Sequence, residues 1–246
     1  MKKYLFALTA VAAMTGSASA ADLGARPYTK APVAAAPVAN WTGCYVAGGG
    51  GGAYTRNDHS ESITTTGLSL LGNSTAGASG WFGTVGAGCD YQISNFVVGL
   101  FGDYDFMDVS GDSTAAGFLV GTRKQDSQWA VGGRVGYLAL PQLLTYVSGG
   151  YTQAHWKSTD YGNFLGVPLA NNGFTKGGWF IGTGDEYALN FLPGLFWKTE
   201  YRYSEFDRAD VSIDQVGVGP TGIAQTNKFR EHSVRSELVY RFNWGR

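Results

Sequence analysis

Two cysteines, three histidines and a set of charged residues spaced two apart are the groups in this chain that could do chemistry. Cys44 and Cys89 have no basic neighbour in sequence, so a reactive thiolate is disfavoured. Two other readings stay open. In an oxidising compartment the pair suggests a disulfide. It would close a loop of about 46 residues and stabilise by roughly 4 kcal/mol on the chain-entropy model. If Tyr54 lies opposite Trp81, Cys44 falls close to Cys89 across a hairpin. Otherwise the two are small apolar side chains facing lipid. His59, His155 and His232 lack metal-type spacing, which points to surface or girdle positions. Glu231-His232-Ser233 superficially offers a base and a nucleophile. Neighbours on a strand point to opposite faces, so His232 and Ser233 cannot meet directly. Gly48 to Gly52 lacks the Lys-Ser/Thr and the helix of a phosphate loop. On a strand such a run permits curvature or close packing.

The charged set is Asp103, Arg134, Glu186, Lys198, Glu200, Arg202, Arg235, Glu237 and Arg241. Both signs are present. Brought together inside a barrel, they could form a salt-bridged plug or line a polar pore. A narrow barrel is filled by its own side chains, which favours the plug. An unpaired buried charge is expensive, so the set is expected to pair.

Strands must position these residues. The chain has 246 residues, a length that suits one all-β domain. Glycine occurs 37 times against 7 prolines, aromatics make 14% and charged residues only 15%. Aromatics that alternate with small and polar residues exclude a disordered chain. Lys2 and Lys3, the apolar run from Leu5 to Met14, and Ala18-Ser19-Ala20 outline a cleaved signal peptide over residues 1–20. Its removal leaves 16 basic and 19 acidic residues, a net charge of −3, with no footprint for nucleic acid. Residues 21–40, rich in Ala and Pro, read as an extended linker.

From Trp41 onward, alternation of period two predicts eight strands, at 42–55, 80–92, 96–107, 127–139, 143–156, 177–190, 194–206 and 229–244. The connections 56–79, 108–126, 157–176 and 207–228 are long and polar, and the other three are short. Long loops at one rim and short turns at the other are the habit of outer-membrane barrels. Trp197, Thr199, Tyr201 and Tyr203 share one parity, and Lys198, Glu200, Arg202 and Ser204 the other. Alternation alone does not tell inside from outside. Gly86, Gly88, Gly99, Gly132, Gly136, Gly182 and Gly184 share parity with the charges, which suits a narrow interior. Asp185 falls on the lipid parity and is tolerable only near the interface.

These features resemble a known family. Ala21-Asp22-Leu23, Tyr28-Thr29-Lys30-Ala31-Pro32 and Asn40-Trp41-Thr42-Gly43-x-Tyr45-Val46 are similar to the start of the small major outer-membrane proteins of alphaproteobacteria, the outer-membrane immunogenic proteins. Gly133-Arg134-Val135-Gly136-Tyr137, Glu200-Tyr201-Arg202-Tyr203 and the closing Tyr240-Arg241-Phe242 extend the likeness along the mature chain. The resemblance implies an OmpA-like eight-stranded barrel inserted by the barrel assembly machinery. Leu238, Tyr240, Phe242 and Trp244 form the expected assembly signal.

The sequence therefore predicts an all-β, eight-stranded antiparallel transmembrane β-barrel over residues 41–246, in a Gram-negative outer membrane. Its expected role is structural and surface-exposed, contributing to envelope integrity and presenting long loops as a surface antigen. The runner-up is a small porin-like channel for passive diffusion, in which neutralising Arg134 or Glu200 changes ion selectivity. A membrane-embedded hydrolase or acyltransferase and a soluble ligand-binding barrel are lesser alternatives. No catalytic set, cofactor or metal site is expected. Expected partners are outer-membrane lipid, lipopolysaccharide, the assembly machinery and peptidoglycan, the last through residues 21–40. Deleting residues 21–40 should release the protein from the cell-wall fraction, and unchanged fractionation would refute that contact.

Overall fold

Alternating β-branched, aromatic and glycine residues build one antiparallel sheet that closes on itself. The computed structural model describes residues 39–64, 66–115, 119–164 and 167–242. The expected signal peptide, the linker up to Val38 and Trp244 of the assembly signal lie outside them. The strands are β1 (Gly43–Ile63), β2 (Ser69–Ile93), β3 (Phe96–Ala115), β4 (Leu119–Leu140), β5 (Leu143–Trp156), β6 (Thr159–Phe164), β7 (Val167–Asn171), β8 (Phe174–Ala188), β9 (Leu195–Phe206), β10 (Ala209–Gln215) and β11 (Gly219–Phe242). β1 pairs with both β2 and β11, so β1, β2, β3, β4, β5, β8, β9 and β11 form a ring of eight. No helix among the described residues is long and apolar enough to cross a membrane. A closed ring needs none, because every strand finds its backbone partners within it.

Several strands run far beyond the lengths expected from the alternation. β1 reaches Ile63, β2 begins at Ser69 and β11 begins at Gly219, so much of the expected loops 56–79 and 207–228 is strand. The expected loop 108–126 likewise becomes the top of β3 and β4. The reason is physical. Outward Arg56 and Asp58 and inward Asn57, His59 and Glu61 are all polar, so hydropathy loses its period of two while the ladder to β11 continues. The expected loop 157–176 contains the β6–β7 hairpin, and β7 adds to β10 through Asp214–Ala170 and Gln215–Leu169.

The outer surface divides by height. Val46, Val85, Val98, Leu100, Val131, Val135, Val147, Ile181, Val234 and Leu238 are exposed and form an apolar band. Tyr54, Trp81, Phe106, Tyr151 and Trp179 stand above it, and Tyr91, Phe96, Tyr137, Tyr187 and Tyr240 below. Such paired aromatic girdles mark the two membrane interfaces. Trp129 packs on Tyr151 at 5.5 Å and Trp179 on Tyr203 at 5.6 Å between ring centroids. Asp185 faces outward near the lower rim, where the Thr145 hydroxyl donates to it at 2.6 Å.

The glycine run of β1 answers to packing on both faces. Gly48, Gly50 and Gly52 point to lipid, and Gly49 and Gly51 point inward. A methyl group on Gly51 would overlap the Val234 carbonyl and the Phe82 ring. The bare backbone is what lets Phe82 lie inside the ring there. Cys44 is directly opposite Cys89 and the two are bonded, with Cα atoms 3.9 Å apart. The register differs from the sequence expectation by two residues, since Tyr54 faces Ser79 and Trp81 faces Gly52. Both cysteines are exposed on the outer surface near the short-turn rim.

Leu100 lies within the apolar band and Val120 lies above it, on the upper part of β4. Leu100→Arg should cost about 2–4 kcal/mol of folding free energy in bilayers, as a charge near the midplane does. Val120→Arg should stay within about 0.5 kcal/mol, as surface changes do. Urea titrations in lipid vesicles would compare them, and equal costs would contradict this placement of the membrane.

Candidate functional site

The interior is built from the charged parity of each strand. Asp103, Arg134, Glu186, Lys198, Glu200, Arg202, Arg235, Glu237 and Arg241 are all buried and all point inward. They form stacked layers. At the short-turn end Arg241 donates to Glu186 at 2.6 and 3.1 Å and to Asp90 at 2.6 Å. Arg134 reaches across to the same two carboxylates, donating to Glu186 at 2.9 Å and from Nε to Asp90 at 3.0 Å. Aromatic rings sheathe these guanidinium groups. Arg241 lies 5.1 Å from the Trp41 ring, 5.0 Å from Tyr45 and 4.9 Å from Phe196. Trp41, just ahead of β1, is fully buried and closes this end.

In the next layer Arg202 grips Asp103 with two nitrogens, at 3.0 and 2.8 Å, and Glu200 at 2.8 Å. Its guanidinium stacks 4.4 Å from the Phe180 ring centroid. Lys198 pairs with Glu237 at 2.7 Å, and the Tyr146 hydroxyl donates to Glu200 at 2.9 Å. Arg235 pairs with Asp105 at 3.0 Å and lies 5.3 Å from the Phe82 ring. Above it Gln125 donates to Glu231 at 2.9 Å. Bidentate and charge-assisted bonds of this kind are the strong ones, and they hold strands from around the ring to one another.

Asp90, Asp105 and Glu231 belong to the network but not to the expected set. Asp105 shares parity with Asp103 and Glu231 with Arg235, each on its own strand, and Asp90 shares parity with the inward Gly86 and Gly88 of β2. Parity alone would have found all three.

Arg123 and Gln125 carry no such signal. A register shift between Gln125 and Ser127 swaps the faces of β4, so odd positions point inward above it and even positions below. Arg123 thereby enters a second, polar compartment above the membrane. It donates to Asn227 and Gln225 side chains at 2.8 Å and to the Tyr161 hydroxyl at 3.2 Å. Asn171 of β7 donates to the same hydroxyl at 3.0 Å, so the β6–β7 hairpin packs over this compartment. Burial first, and then the Arg123 charge, hold the His59 imidazole below its ordinary value.

The remaining candidates do not assemble into a reactive group. His232 faces outward beside the Tyr201 hydroxyl at 2.7 Å, whereas Ser233 is buried on the inner face. His155 is paired with Asp126 at 2.6 Å on the outer surface. Leu238, Tyr240 and Phe242 are exposed along the outer face of β11.

The chain has relatives. It is 31% identical over 245 residues to the 31 kDa outer-membrane immunogenic protein of Brucella melitensis, covering 96% of this chain and 98% of that one. The same protein of Brucella suis matches to the same extent. Among solved structures, the outer membrane protein OprG of Pseudomonas aeruginosa aligns with a TM-score of 0.51 at 14% identity, covering 83% of this chain and 99% of that one. That likeness is one of fold. The model of the outer membrane protein beta-barrel domain matches residues 6–242. With a ring of eight strands, a lipid-facing apolar band and a charged interior, the chain belongs to the outer-membrane protein β-barrel domain family and resides in the Gram-negative outer membrane.

Proposed function

We propose that this barrel is a structural and surface component of the outer membrane, contributing to envelope integrity while its tall extracellular half faces the surroundings. The observation that supports this reading is the interior network. Five bases (Arg134, Lys198, Arg202, Arg235, Arg241) meet six acids (Asp90, Asp103, Asp105, Glu186, Glu200, Glu237) in consecutive layers that fill the lumen. Aromatic rings occupy the space between the layers. A lumen filled this way leaves passive diffusion as the weaker reading. With His232 and Ser233 on opposite faces, the protein is read as non-enzymatic.

Outward-facing Lys124, Lys157, Lys228 and Arg230 stand just above the upper girdle. Phosphate groups of lipopolysaccharide lie at that height, so this glycolipid is the proposed neighbour. The exposed Leu238, Tyr240 and Phe242 suit the assembly machinery, and residues 21–40 are the proposed contact with peptidoglycan.

A strain lacking the protein should become more sensitive to bile-salt detergents, and the wild-type chain should restore resistance. Unchanged sensitivity would refute the integrity role. Within the network, Arg202→Met leaves Asp103 with only Arg235 at 3.4 Å and Glu200 with no arginine, and breaking a buried pair this way costs about 3–5 kcal/mol. Urea unfolding in detergent should register that loss, and a change below about 1 kcal/mol would mean the network does not bear on stability.

A further inference from the structure

Within the membrane β1 has little of its own to fix its register. Between Ala47 and Ala53 the strand holds five glycines in a row, Gly48 to Gly52. Glycine-rich strands are prone to slip, because few side chains resist it. The hairpin turn does not set the register either. Two irregularities, between His59 and Glu61 and between Glu61 and Ser62, separate that turn from the lower ladder. Among the described residues no side-chain hydrogen bond joins residues 45–53 to β2.

What remains is the seating of rings on glycines. Tyr45 lies over Gly88 and Phe82 over Gly51, each directly opposite in the ladder. A slip of two residues keeps every side chain on its own face. It sets Tyr45 opposite Gly86 and Phe82 opposite Gly49, so each ring meets a glycine again. Outside, it sets Gly48 opposite Gly83 and Gly50 opposite Trp81. Ring packing therefore does not separate the two registers. Cys44 does, since it faces Cys89 in the observed register and Ala87 in the slipped one.

We propose that the Cys44–Cys89 bond is a redox-controlled pin that selects the register in which β1 closes the barrel. β1 pairs with β2 on one side and β11 on the other, so its register also sets the closing seam that begins at Cys44–Phe242. The β1–β2 hairpin is local, whereas β1 and β11 lie at opposite ends of the described chain. Local pairing forms ahead of distant pairing, so the bond precedes closure. The chemistry is thiol–disulfide exchange with a disulfide oxidant of the periplasm. One cysteine thiolate attacks the oxidant and forms a mixed disulfide, and the second cysteine displaces the oxidant. The oxidant leaves as a dithiol, carrying the two electrons and two protons that the cysteines lose.

The test folds the mature chain from urea into lipid vesicles, with folding read by heat-dependent gel mobility and bonding by free-thiol labelling. Wild type that is folded reduced and only then oxidised should keep part of its thiols unbonded. The variant Cys89→Ser with Ala87→Cys, treated in the same way, should bond Cys44 to position 87. In the observed register those two positions are diagonal neighbours, about 7–8 Å apart, which is too far for a disulfide. Complete bonding of the wild type, or no bond at position 87, would overturn the proposal. Should the reduced chains fail to fold, the same variant is oxidised before folding. A folded barrel then shows that the place of the bond selects the register. No folding, where oxidised wild type folds, means that packing already rejects the slip, and overturns the proposal.

Discussion

The constraint on which this structure depends is the absence of water as a hydrogen-bond partner inside the bilayer. Every backbone N–H and C=O at that depth must be satisfied within the chain, so a sheet can cross only if it has no edge. The long β1–β11 pairing from Cys44–Phe242 to Ile63–Ile223 removes the edge. The other features follow from that closure. Eight strands make a ring too narrow for open water but wide enough for side chains. The chain fills it with arginines, carboxylates and aromatic rings, and turns Val46, Val85, Leu100, Val131, Val135 and Leu238 to the lipid.

Filling a lumen with charge works only if the charges meet. Arg241 and Arg134 share Asp90 and Glu186, and Arg202 and Arg235 share Asp103, so single groups serve two partners on different strands. Guanidinium planes stacked on Phe180, Phe82, Tyr45 and Trp41 occupy the volume that the ion pairs leave. Among the described residues the result is a plug made of wall residues. Glycine is the complement of this arrangement. At Gly51 the wall thins so that Phe82 can lie beneath Arg235.

Where lipid imposes a contrast between faces, the sequence was readable. The ring strands, their parity and the nine inward charges from Asp103 to Arg241 all lay in the alternation. Asp90, Asp105 and Glu231 obeyed the same rule and needed only its consistent application. Above the membrane the contrast disappears, because both faces of residues 55–62 and 225–228 are polar. Strands there looked like loops, and only tertiary pairing reveals them. The bulge near Ser127 hid Arg123 in a second way, since one extra residue moves a side chain to the other face. Trp41 is legible as part of a motif, but its work as the lower stopper depends on Arg241, 200 residues away in sequence.

The central claim is that the ion-paired interior closes the lumen. Single-channel recording of the purified, folded protein in a planar lipid bilayer tests it most directly, with folding verified by heat-dependent gel mobility. A closed interior predicts no conductance steps at ordinary voltages and salt. Reproducible steps of uniform size would mean that ions pass the Arg202–Asp103 layer, and would contradict the account.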